Sequence, residues 1–130
     1  MILTNDLFYI IKKQETDKEM LYNIKLNGNH VIYTAHFPGN PITPGVCLMQ
    51  MVTELLESHS KKHLILDTVV NIKFRKAITP DMEPSVTIIK TAEEDKTLKV
   101  RVSIDVEGEQ YAKMSLLYNK MGKVSTLVSK

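Results

Sequence analysis

A mixed α+β domain is what this sequence predicts. Three observations carry that reading: one strongly apolar helical stretch, several short stretches rich in Val, Ile, Tyr and Phe separated by turn residues, and no internal repeat. Residues 7–13 and 19–26 read as two strands around the polar turn 14–17. The second alternates, with Met20, Tyr22 and Ile24 on one face and Leu21, Asn23 and Lys25 on the other. Asn27-Gly28-Asn29 ends it, and an irregular segment, 30–35, leads into a loop stiffened by Pro38, Pro41 and Pro44.

The helix is expected from Pro44 to about Ser58, with Thr43 as N-cap and Pro44 at the first helical position. Val46, Cys47, Leu48, Met49, Met51, Val52, Leu55 and Leu56 cover most of its circumference, which requires burial. Gln50, Thr53, Glu54 and Glu57 form its one polar stripe. Residues 64–77, 85–91, 97–106 and 110–119 then favour strands. Pro80, Asp81 and Pro84 mark one turn, 93–95 a second, and Glu107-Gly108 a tight hairpin. The tail from Lys120 is polar and weakly patterned. The pattern predicts an antiparallel sheet of about six strands wrapped around one long central helix, in a single domain spanning 1–130.

The bulk numbers narrow the function classes. The chain has 130 residues, 43% of them hydrophobic and 25% charged, as a folded domain would. A net charge of +2 without aromatic–basic interleaving argues against nucleic acid. Cys47 is the only cysteine, so no intrachain disulfide can form and a reducing compartment is expected. The N-terminus lacks the pattern of a signal peptide and no apolar run approaches a membrane span, which together predict a cytoplasmic protein.

The chemistry concentrates where the proline-rich loop meets the helix. His36 stands on that loop, and Gly45 offers a backbone N–H at the positive end of the helix dipole. A base facing helix-terminal donors can polarise a carbonyl and take a proton beside it. Other residues point elsewhere. His59 and His63 are spaced i, i+4 but lack a carboxylate or thiol ligand pattern, so no metal site is expected. Cys47 lies in an apolar run and reads as inert, and no nucleophile elbow or phosphate-binding glycine loop is present.

The run His36-Phe37-Pro38-Gly39, then Pro41, then Pro44-Gly45-Val46 opening an apolar helix, resembles the FabZ/FabA 3-hydroxyacyl-[acyl carrier protein] dehydratases. Ile72-Lys73-Phe74-Arg75-Lys76, Ile78-Thr79-Pro80 and Val106-Glu107-Gly108-Glu109 extend the resemblance over most of the chain. It implies the hotdog fold, dimerised into one continuous sheet, as a homodimer or a trimer of dimers. It also implies a substrate carried on 4'-phosphopantetheine, by an acyl carrier protein or as a coenzyme A thioester, with no other cofactor, in fatty-acid or related lipid synthesis. His36 then corresponds to the base at C2, and Gly45 to the donor to the thioester carbonyl. Phe37, Pro38, Gly39, Pro44 and Val46 would surround the substrate, and Lys73, Arg75 and Lys76 would meet the acidic carrier.

The family's acid lies fourteen residues after the histidine, and here that position is Gln50. An amide holds a hydroxyl but does not transfer its proton, and losing a general acid costs on the order of 10²–10⁴ in rate. The family's Glu-x-x-x-Gln order is reversed to Gln50-x-x-x-Glu54. Three readings stay open. Glu54 supplies the acid from one turn deeper; or His36 and Gly45 still activate the thioester while Gln50 orients water, for hydrolysis or weak dehydration; or the chain is a non-catalytic acyl-binding subunit beside an active paralogue.

Overall fold

Alternation along the strands becomes one apolar face of one sheet. The computed structural model describes residues 2–35 and 39–121. Its strands are β1 (Phe8–Glu15), β2 (Glu19–Leu26), β3 (Leu64–Phe74), β4 (Ser85–Glu93), β5 (Thr97–Val106) and β6 (Glu109–Lys120). They pair antiparallel in the order β1-β2-β4-β5-β6-β3. Ile24, Ile88, Val100 and Leu116, one from each inner strand, are fully buried on the face that receives the helix. Glu107 and Gly108 both take positive φ, 51° and 82°, so a two-residue turn of the primed kind closes β5 onto β6.

Helix α1 is short (Ile32–Ala35), and α2 runs Gly45–Ser60. Cys47, Leu48, Met51, Val52, Leu55 and Leu56 are buried along α2, which carries the chain from β2 to the far edge of the sheet. Its sixteen residues span about 24 Å, so the central helix is of ordinary length where the sequence predicted a long one. Its C-terminus is closed by Lys61 in the left-handed region, whose N–H returns to the Glu57 carbonyl at 2.8 Å. The α1 turn was expected to be irregular. It forms because His30 Nδ1 accepts the Ile32 N–H at 3.0 Å, a local cap that periodicity does not reveal. Strand β3 ends at Phe74 and not Ala77, because the Arg75 and Lys76 N–H groups both turn to the Tyr111 carbonyl (2.8 and 3.2 Å).

Candidate active site

The start of α2 carries no side-chain cap. Thr43 is not the N-cap that was expected: its hydroxyl meets the Tyr33 hydroxyl at 2.9 Å, and its N–H donates to the Ile78 carbonyl at 2.8 Å. Thr43 thereby fastens the loop to the segment after β3. Pro44 takes the capping position itself, with φ −62° and ψ 145°, and Gly45 opens the helix. A Cβ on Gly45 would lie 2.5 Å from Cζ of Phe74, so glycine is what lets the ring rest against the first turn. Between them opens a pocket of about 480 Å³, lined by Pro44, Gly45, Val46 and Leu48 from the helix side and by Phe74, Arg75 and Lys76 from the other. Val46 is 65% exposed, against the burial expected for it, because it faces this opening and not the core.

The polar stripe of α2 is half-buried, not a solvated face. Glu54 accepts the N–H groups of Leu3 (2.9 and 3.0 Å) and Thr4 (2.8 Å), the Thr4 hydroxyl (2.6 Å) and the Gln50 amide (2.9 Å). Partial burial pushes its carboxyl up, but the Thr4 hydroxyl, the Gln50 amide and the two backbone N–H groups outweigh that and hold its pKa below the ordinary value. Glu54 is therefore a carboxylate at neutral pH, built to accept. Because a carboxylate only accepts, the Gln50 amide must turn its Nε2 toward it. Thr53 bonds the Tyr118 hydroxyl at 2.9 Å. Glu57 accepts the Leu64 N–H at 3.0 Å and pairs with His63 at 2.9 Å.

Of the three cations expected together, two reach the pocket mouth. Arg75 Nε donates to Gln110 at 3.1 Å, and Lys76 pairs with Glu109 at 2.8 Å while lying over the Tyr111 ring. Lys73 does not join them: strand alternation puts it opposite Lys113 on the outer face of the sheet. His36, Phe37 and Pro38 lie outside the described residues. Gly39 is exposed and does not line the pocket. His30 engages Asp6 and His59 engages Glu15, each at 3.2 Å. Burial pushes the Cys47 thiol up.

Three contributors were not anticipated: Phe74 as the pocket wall, Tyr33 as partner of Thr43, and the N-terminal turn that Glu54 holds. Leu3 and Leu7, both buried, anchor that turn. An apolar residue every fourth position there was a usable sign; the reach of Glu54 to it was not, since fifty residues separate them.

The model of the ApeI-like family, described as ApeI dehydratase, matches residues 12–115. The 3-hydroxyacyl-[acyl-carrier-protein] dehydratase FabZ of Rickettsia rickettsii (strain Sheila Smith) is 28% identical over 89 residues, 62% of this chain. The matched part spans 61% of that relative's length. Among solved structures, the dehydratase heterocomplex ApeI:P from Xenorhabdus doucetiae superposes with a TM-score of 0.73 at 17% identity, covering 85% of this chain and 96% of that one. A hypothetical thioesterase with coenzyme A from Streptococcus pneumoniae TIGR4 superposes at 0.66 with 13% identity, covering 94% of each chain. Those two likenesses concern the fold, which is the hotdog fold.

Proposed function

This chain belongs to the ApeI-like dehydratase family, and on that premise we propose that it removes water from a 3-hydroxyacyl thioester to give the 2-enoyl thioester. The observation that carries the reading is the uncapped start of α2 at Gly45, set in an apolar pocket with Arg75 and Lys76 at its mouth. The Gly45 N–H receives the thioester carbonyl, where negative charge grows as the C2 proton leaves. His36 takes that proton, and the resulting imidazolium returns it to the 3-hydroxyl, which departs as water. No net proton is consumed. Gln50, aimed by Glu54, holds the hydroxyl, and Glu54 serves as an anchor for Gln50 and not as the acid.

The acyl group arrives on 4'-phosphopantetheine, with Arg75 and Lys76 meeting the negative charge of the carrier protein or of coenzyme A. No metal or nucleotide cofactor enters the scheme. A second reading is favoured by the engagement of Glu54 as an acceptor: a partner hotdog subunit supplies the acid that Gln50 lacks, as a heteromeric dehydratase would. One assay separates the outcomes. Purified protein is given a 3-hydroxyacyl thioester, and enoyl absorbance and free thiol are followed together, alone and with candidate partner subunits. Enoyl product lost in His36→Ala supports the first reading. Product that appears only with a partner supports the second. Thiol release without enoyl would move the chain to the hotdog thioesterases.

A further inference from the structure

On the outer face of the sheet, away from α2, β5 and β6 build a square of alternating cation and hydroxyl. Arg101 stands opposite Ser115, and Ser103 opposite Lys113. Residues two apart on a strand share a face, about 7 Å apart along it and about 5 Å across it. All four side chains therefore surround one spot. Thr87 of β4 extends the row on the Ser103 side and Asn71 of β3 on the Ser115 side. The short side chains floor a hollow of about 310 Å³ between the two long cationic ones.

The charge at this hollow is unbalanced. Lys73 sits directly opposite Lys113, and like charges so placed destabilise a sheet. Among the described residues Lys73, Arg101 and Lys113, like most of the exposed lysines, have no carboxylate partner, and here three such cations share one face. Two carboxylates share this face: Glu19 lies across Ile89 from Arg101, and Asp105 accepts the Ser103 hydroxyl at 3.0 Å, Ser103 in turn accepting the Gln110 amide at 2.9 Å. Guanidinium, ammonium, hydroxyl and amide donors converging on one concavity match the acceptor-rich surface of a phosphate group.

We propose that this hollow binds a phosphate-bearing small molecule, with Arg101 and Lys113 as the charged ligands, Ser115, Thr87 and Asn71 as hydrogen-bonding groups, and Lys73 adding field. The hollow exceeds one phosphate, so a phosphorylated nucleoside fits it as well as the free anion. The proposal does not rest on the dehydratase reading.

The test is titration of the protein with four probes: inorganic phosphate, adenosine 3',5'-bisphosphate, unphosphorylated adenosine and an acidic carrier protein. Calorimetry gives affinities, and amide shifts of the wild type map the site. Shifts centred on residues 101, 103, 113 and 115 are expected with a phosphorylated probe and not with adenosine. Binding of the bisphosphate alone identifies a nucleotide head; equal molar affinity for inorganic phosphate identifies the bare anion. Arg101→Gln with Lys113→Gln should weaken binding at least 10-fold, while Lys62→Gln, a cation elsewhere on the surface, leaves it unchanged. Absence of shifts at those residues with every phosphorylated probe at millimolar concentration overturns the proposal, as does unchanged affinity in the folded double variant. Shifts there with an acidic carrier protein but with no small phosphate overturn it too.

Discussion

Glu54 gathers four donors around one half-buried carboxylate, and its substitution is expected to be felt first in stability. Glu54→Ala leaves those donors unmatched and should cost about 2–3 kcal/mol, read by urea denaturation. The pH dependence has a definite sign. The folded-state pKa is depressed below the ordinary 4.5, so the carboxylate's contribution is complete above that value and is lost as pH falls through the depressed one. Glu15 and Glu93 are depressed as well, by the Tyr22 hydroxyl and by Lys120 respectively, and steepen acid unfolding in every variant. Glu54→Gln should therefore show a shallower decline of Tm below pH 4.5 than wild type. Gln50→Glu probes the chemistry. It would set a second carboxyl within about 3 Å of Glu54, and two such groups cannot both stay ionised, so one keeps a proton at higher pH. The variant gains a proton donor at the position where the resembling family has its acid. An increase of about 10²-fold in enoyl formation, measured as kcat/KM against pH, is expected. No increase would mean that a missing acid is not what limits this chain.

At the scale of an element, the first turn of α2 can be dissected by two substitutions that share a side effect. Gly45→Ala and Gly45→Pro both place a Cβ against the Phe74 ring, which is 48% exposed and can swing aside. Only proline removes the N–H. The first helical position tolerates proline, and Pro44 already has the extended backbone that a residue before proline needs. Gly45→Pro should lose about 10²-fold more dehydration rate than Gly45→Ala at equal stability, since one oxyanion donor is worth that much. Elements of this kind were largely legible. β2 and β5 occur at the predicted bounds, because clean alternation between turn residues leaves no other register. Gly45 at the head of an apolar helix was legible too. The Thr43 cap was not, because a tertiary partner, Tyr33, outcompetes the local N–H for its hydroxyl. Lys73 separated from Arg75 and Lys76 because a strand of period two ends between them, and an edge strand with charges on both sides does not announce where it stops.

At the scale of the whole molecule, the sheet has two edges of unequal character. β1 is short and carries Lys12 and Lys13, which blunt it against pairing. β3 is eleven residues long, pairs on one side with β6, and exposes Ile65, Val69, Val70 and Phe74. Such an edge is a template for another strand. A second copy paired along β3 would continue the sheet and would bring its own chain to Phe74, the wall of the Gly45 pocket. A homodimer of the kind expected from the sequence would take this edge as its seam, and one contact would then both cover the edge and close the site. Val70→Lys tests this, since Val70 is 49% exposed and a charge there costs little in the isolated chain. The dimer should weaken about 100-fold by sedimentation, with far-UV circular dichroism unchanged. Dehydration should fall with the dimer fraction, and recover as protein concentration rises. Ile11→Lys, on the opposite edge, should leave both assembly and rate intact. If Ile11→Lys dissociates the dimer and Val70→Lys does not, β1 is the seam, and the pocket at Gly45 is completed by the chain's own residues.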